Sequence, residues 1–217
     1  MMNIAFLGPC TDKKRFFLLC LARIMTNEKK AVIFSNKPYS FDTGPEHIYD
    51  YCGVEIRQFE KGEDLAPGLN EEGYYFLDID RMMPVPEDSA IAVVTEPLRR
   101  NLEYSVKLAM EFSRNDQSLK ISLIYLDIME YCKVDKRYID LFWEWNMPGF
   151  TETSRVFPFY FEEQNQIAMI ECQFSERLSL KKLTPSCKTE LLNVMQSLFG
   201  IEPKRARTLV RMAERMK

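Results

Sequence analysis

The sequence predicts an α/β protein built on a mostly parallel, twisted sheet of about seven strands with helices on both faces. Three observations carry this. Seven short apolar, β-branched or aromatic runs recur along the 217 residues. Most are continuously hydrophobic, as strands covered on both faces are. Longer segments of helical periodicity separate many of them, and strands alternating with helices favour parallel neighbours.

In chain order the strands fall at 3–7 (NIAFL), 31–35 (AVIFS), 54–59 (VEIRQF), 74–79 (YYFLDI), 90–95 (AIAVVT), 121–126 (ISLIYL) and 155–159 (RVFPF). The helix over 15–27 (RFFLLCLARIMTN) is apolar on nearly every side, which wedges it against a sheet. The helix over 97–112 opens with Pro97, suited to a first turn. Thr184 caps the helix of 184–200, Pro185 takes its first position and Gly200 ends it. Residues 60–73 read as a loop. There is no internal repeat and no low-complexity segment. The length suits one substantial core, expected as a single domain over 1–200 followed by a basic helix or tail over 201–217.

Composition narrows the function classes. Hydrophobic residues make up 46% and charged residues 28% of the chain, ordinary values for a soluble globular protein. The net charge of −3 gives no global bias toward nucleic acid. Six scattered cysteines (Cys10, Cys20, Cys52, Cys132, Cys172, Cys187) form no CxxC pair, and His47 is the single histidine, so a zinc site is not expected. His47 has no nearby cysteine or serine partner in sequence and makes a poor catalytic candidate. The N-terminus lacks a charged segment followed by a long apolar one, and no apolar run reaches a membrane span. The expectation is a cytoplasmic protein with reduced thiols.

Function is concentrated in GPCTDKKRFF (8–17), which leaves the first strand and opens the first helix. A phosphate-binding loop reads GxxxxGK[ST] in this context. Gly8 and Lys14 fall at its first glycine and its lysine. Lys13 stands where a glycine lets the backbone curl round phosphate oxygens; a side chain there in a left-handed conformation costs roughly 1–2 kcal/mol. Arg15 stands where a hydroxyl ligates magnesium. Its guanidinium has no lone pair to give, and at about 4 Å and an effective dielectric near 20 each unit of like charge costs on the order of 4 kcal/mol. Magnesium-dependent hydrolysis is therefore not expected. A helix N-terminus with Lys13, Lys14 and Arg15 can still hold an anion without metal. The alternative is that Thr11 or Asp12 caps the helix and the basic side chains are solvated.

With this loop in place, the order of the remaining motifs resembles the ParA/MinD group of deviant P-loop ATPases over most of residues 2–200. YYFLDID followed by DSAIAVVTEPLRRNLEYSVKLAMEF is similar to that family's Walker B strand and the next strand ending in a T-x-P turn, here Thr95, Glu96 and Pro97. SLIYLDIME is similar to the later strand that ends at the adenine, with Asp127 near the usual asparagine. RVFPFYFEEQNQIAMIE is similar to the I-P-Y segment, which contains Pro158 here, and the helix after it. The departures are as informative. Pro9 replaces the signature lysine of the loop, and FSNKPYSF offers Ser35 and Lys37 where the family carries an aspartate pair. Of the metal-handling acids only Asp78 or Asp80 remains.

The resemblance implies a degenerate member, nearest in character to TadZ/CpaE-like assembly factors. Its implied site is a nucleotide- or phosphate-binding set of Gly8, Lys13, Lys14, Arg15, Asp78, Asp80, Asp127 and Pro158, with no metal and no catalytic residue. The cofactor is none, or ATP or ADP held weakly. The implied role is a localisation or assembly scaffold for a bacterial cell-envelope, pilus or conjugation-type machine. Its partners would be proteins, with a homodimer through the nucleotide face also open. Two alternatives stay open here: an active but atypical ATPase of the same fold, and a DNA-associating partition-like protein.

The tail EPKRARTLVRMAERMK (202–217) reads as a basic amphipathic helix. Arg207, Arg211 and Arg215 form a positive stripe, and Leu209, Ala213 and Met216 a modest apolar one. Such a helix can meet a partner or an anionic membrane surface. Phe142, Trp143, Trp145 and Phe150 make an aromatic cluster expected in the core, or at a partner surface if exposed.

Overall fold

A computed structural model of the chain describes residues 2–39, 47–59, 72–115, 121–149 and 154–216. Most of the loop expected over 60–73 lies outside these residues; Gly73 already belongs to a strand. The seven expected strands are all present: β1 (Met2–Leu7), β2 (Lys30–Ser35), β4 (Val54–Gln58), β5 (Gly73–Ile79), β6 (Ala90–Thr95), β7 (Ile121–Ile128) and β8 (Arg155–Tyr160). An eighth, β3 (Ile48–Tyr51), pairs antiparallel with β4 and was hidden by its half-exposed, four-residue pattern IYDY. Cys52 and Gly53 form the turn between them with φ of 56° and 73°. Two successive positive φ values are the geometry that matches hairpin twist. A Cβ on Gly53 would collide with the Arg23 guanidinium.

Sheet order is β3-β4-β2-β5-β1-β6-β7-β8, with every pair after β3–β4 parallel. The helices are α1 (Asp12–Met25), α2 (Arg99–Asn115), α3 (Lys136–Asn146), α4 (Glu163–Ser175), α5 (Pro185–Leu198) and α6 (Pro203–Arg215). Alternation along the strands sorts the core into two layers. Ile4, Phe6, Ile33, Phe76 and Val94 face one side with α1, α4, α5 and α6. Ala5, Leu7, Val32, Leu77 and Val93 face the other with α2 and α3. Both faces being covered explains why the strands read as unbroken apolar runs.

Helix ends follow local chemistry. Helix α1 begins three residues before the expected start, because the Thr11 side chain caps it by accepting from Lys14 N and Asp12 complements the dipole. Helix α2 begins at Arg99, so Pro97 precedes the first turn rather than forming it. Thr184 and Pro185 start α5 as expected, and Gly200 follows it with φ of 63°. Helix α3, capped by the Asp135 side chain accepting from Tyr138 N, divides the aromatic cluster. Trp143 is fully buried in the second layer, Phe142 is half-buried and Trp145 is exposed. Phe150 lies outside the described residues.

Helix α6 is docked on the core. Ala206, Leu209, Val210 and Ala213 are buried in the first layer, so the apolar stripe read from the tail is spent inside, with Met216 left exposed. No helix among the described residues is long and apolar enough to cross a membrane.

Candidate functional site

The parallel strands β5, β1, β6 and β7 end on one edge of the sheet, and the chain winds one way from β1 to β2 and the other way from β6 to β7. The reversal leaves a crevice at the exit of β1, where α/β sheets place ligands. Leu7 pairs with Ile79 and with Val93. Gly8 N then donates to Ile79 O at 3.0 Å. Gly8 has φ of 140°, and a Cβ there would collide with the Val94 carbonyl oxygen. Only glycine lets the chain leave β1 past β6.

Strand parity sets the centre of the site. Tyr74, Phe76 and Asp78 alternate onto the α1 side of β5. Asp78 pairs in register with Phe6 and Ser35. A carboxylate is thereby directed beneath α1, its residue 0% exposed. Such a charge must be paired. Lys14 lies on the buried stripe of α1 with Phe17, Leu18 and Leu21, and is 1% exposed. Its ammonium meets Asp78 Oδ1 at 2.7 Å and donates to Gly8 O at 3.0 Å and Ile79 O at 3.2 Å. The lysine is thus held by one ion pair and two hydrogen bonds.

The other oxygen of Asp78 is also surrounded. Its Oδ2 accepts from Tyr39 OH at 3.0 Å, Ser35 Oγ at 3.2 Å and Cys10 Sγ at 3.5 Å. Burial, then the Asp78 charge, pushes the Tyr39 phenol well above its usual range. The same two causes push the Cys10 thiol up to about 11. Both groups therefore remain protonated donors to Asp78. Arg15 closes the outside: its Nε donates to Cys10 Sγ at 3.3 Å and its guanidinium lies 5.7 Å from the Tyr39 ring centroid.

Two further pairs frame the loop. The Thr11 hydroxyl donates to buried Glu96, whose other oxygen accepts from Asn101 Nδ2 at 3.4 Å. Lys13 is ion-paired with Asp127 at the end of β7. Asp127 has φ of 55° beside an irregularity in the β7–β8 register. A left-handed non-glycine residue costs of order 1–3 kcal/mol, and such strain clusters at functional sites. Next to this pair an open cleft is lined by Phe16, Phe17, Phe159, Tyr160, Met169 and Asn165, among others.

Gly8, Lys13, Lys14, Arg15, Asp78 and Asp127 are thus gathered at the β1 exit. Asp80 is turned away, accepting from Asn36 Nδ2 at 2.7 Å and pairing with Arg81 at 3.3 Å. Pro158 sits in β8 opposite Tyr125 and is not part of the cleft lining. Arg207, Arg211 and Arg215 are exposed on α6. The expected cap on Thr11 forms, but Lys13, Lys14 and Arg15 are all engaged rather than solvated. Sequence reasoning missed Cys10, Tyr39 and Glu96 as parts of this network. The one available signal was Lys14 itself, a lysine at an apolar-stripe position of α1.

This arrangement does not fit a magnesium-bound triphosphate. The position of the metal-ligating hydroxyl is a guanidinium. The oxygens of Asp78 are committed to Lys14, Ser35, Tyr39 and Cys10. Asp12 and Lys13 are already helical, which shortens the loop that would wrap phosphate to Gly8–Thr11. No group of three or more His, Cys, Asp or Glu among the described residues could hold a metal ion.

No protein-family model matches the chain, and no curated protein matches it in sequence. Solved structures do match in fold. A ParA family ATPase from Chlorobium tepidum TLS aligns with a TM-score of 0.55 and 12% identity over 98% of both chains. The MinD cell division protein of Aquifex aeolicus aligns at 0.58 and 9% identity over 93% of this chain and 98% of that one. A candidate plasmid partition protein from Borrelia burgdorferi B31, bound to AMPPNP, aligns at 0.59 and 12% identity over 93% of this chain and 100% of that one. The architecture is that of the ParA/MinD type of P-loop ATPase. At such identities the likeness is one of fold.

Proposed function

We propose that this chain is a degenerate ParA/MinD-like protein that does not turn over ATP and serves as a localisation or assembly scaffold through protein contacts. The observation that carries the reading is the buried Lys14–Asp78 pair. The cation that would meet a phosphate and the acid that would handle a metal neutralise each other inside the fold. Freeing Lys14 breaks a buried ion pair, a cost of about 3–5 kcal/mol. That is between two and four powers of ten in affinity, enough to move a micromolar nucleotide site to about 0.1–10 mM.

The molecule has surfaces suited to protein contact. Tyr138, Leu141 and Trp145 are exposed along α3, and Ile167, Ile170 and Phe174 along α4, each at i, i+3, i+7 spacing. MinD of Aquifex aeolicus, one of the folds this chain matches, has been solved in complex with MinC. A protein partner or a second copy of this chain fits such faces. Arg207, Arg211 and Arg215 act from a docked α6, on an acidic partner or an anionic lipid surface, because the helix has no free apolar side to insert. The aromatic cleft beside Lys13 and Asp127 favours a second, limited activity, weak metal-independent retention of ADP or ATP.

Calorimetric titration with ADP and ATP, with and without magnesium, tests the reading. The expected result is weak or undetectable heat that magnesium does not change. Magnesium-dependent ATP turnover abolished by Lys14→Ala would overturn it in favour of an atypical ATPase. Steeply salt-dependent duplex binding would instead point to DNA association.

A further inference from the structure

Two cysteines far apart in sequence meet at the margin of the sheet. Cys52 begins the β3–β4 turn and Cys172 lies on α4. Their sulphurs are 3.4 Å apart, across 120 residues of chain. Both are free, buried thiols. Cys172 also lines a small pocket, open to solvent, with Asp12, Arg15, Tyr39, Tyr51 and Met169. A small polar oxidant can therefore reach one sulphur while the second waits within hydrogen-bond distance. We propose that Cys52 and Cys172 are a redox pair, joined by a peroxide oxidant into a reversible disulfide that fastens the β3–β4 hairpin to α4.

The remaining thiols are poor competitors. Burial pushes Cys20 well above its usual range and Cys187 up to about 12. Cys10, raised as described, is held between Asp78 and Arg15. Cys132 is exposed, but forms no comparable thiol pair among the described residues. Within the pair, Cys172 is the sulphur-bearing residue that lines the pocket, and Cys52 is not part of that lining. Cys172 is therefore the nucleophile and Cys52 the resolving thiol.

The chemistry balances in two steps. The Cys172 thiolate attacks a hydrogen peroxide oxygen; an S–O bond forms, the O–O bond breaks, and the departing hydroxide takes up the proton Cys172 released, giving water. Cys52 then attacks the sulfenic sulphur; the S–S bond forms, the S–O bond breaks, and hydroxide leaves with the Cys52 proton as a second water. Two thiols are oxidised and one peroxide is reduced. The sulphurs need only close to about 2.0 Å, and the edge hairpin carries one of them. The bond spans the pocket wall beside Arg15 and Tyr39, so oxidation braces the side of the Asp78 network.

The test uses the full-length wild-type chain, treated with hydrogen peroxide, alkylated, digested without reductant and mapped by mass spectrometry. The expected result is a loss of two of the six titratable thiols, one Cys52–Cys172 cross-link within a monomer, and full recovery with dithiothreitol. The melting temperature should rise by on the order of 10 °C on oxidation. Cys52→Ser and Cys172→Ser should each abolish the two-thiol loss, and Cys132→Ser should leave it intact. Six thiols surviving, a cross-link between other cysteines, or a Cys172 sulfinic acid without a cross-link would overturn the assignment.

Discussion

Replacing Lys14 with methionine separates a structural lysine from a ligand-binding one. Methionine keeps the length of the stem and removes the charge. Asp78 then keeps Ser35, Tyr39 and Cys10 as donors but loses its counter-ion in a fully buried site. Removing one partner of a buried pair costs about 3–5 kcal/mol, because the other charge stays behind. For a chain of this size each kcal/mol moves the melting temperature by about 2–4 °C, so Lys14→Met should lower it by roughly 6–20 °C. Urea titration followed by far-UV circular dichroism measures the same loss as a lower midpoint at unchanged slope. The double variant Lys14→Met, Asp78→Asn should recover much of it, since the amide carries no charge and its oxygen still accepts from Tyr39 and Ser35. A solvated or phosphate-directed lysine predicts the opposite pattern, with stability within about 0.5 kcal/mol of wild type. A Lys14→Met protein as stable as its parent would refute the buried-pair argument.

Other expectations follow from the same structure. Gly8→Ala should destabilise by more than about 2 kcal/mol, through both the positive φ and the Val94 carbonyl, as read by denaturant midpoint. Trp143→Ala should cost about 3–5 kcal/mol and Trp145→Ala, 67% exposed, less than about 0.5, with the blue-shifted share of fluorescence lost only in the first. Leu209→Ala on α6 should cost about 2–5 kcal/mol, whereas a solvated tail would register no change. Cys10 has a raised folded pKa, so the folded state keeps its proton longer than the unfolded one. Its contribution is full below the unfolded value near 9 and is lost as pH rises through about 11. Alkylation at pH 8 should therefore modify Cys132 well before Cys10, and a Cys10 that reacts as fast would contradict the geometry.

Much of the fold was legible because its signals are local. The unbroken apolar runs of β1, β2, β5 and β6 identify strands covered on two faces, and Thr184 with Pro185 marks where α5 begins. The position of the loop was legible too: Gly8 at the exit of the first strand and the basic run Lys13, Lys14 and Arg15 at the start of the first helix are visible without any structure. Strand β3 escaped because four residues, only the last of them buried, carry too little pattern, and its turn depends on backbone angles at Cys52 and Gly53. Helix α6 looked like a free amphipathic tail because an apolar stripe does not say what it packs against.

The sequence by itself determined the alternation of strands and helices and the place of the loop, both of which follow from residue type and spacing along one segment. Only the tertiary structure decided where the loop's charges go. Asp78 and Lys14 are 64 residues apart, and they meet because strand parity turns one inward beneath a helix whose buried stripe carries the other. Ser35 and Tyr39, at the exit of β2, and Cys10, in the loop after β1, reach the same carboxylate from two different segments. Burial makes such pairing obligatory, but which groups share a buried space depends on how the chain crosses itself, and no local pattern records that.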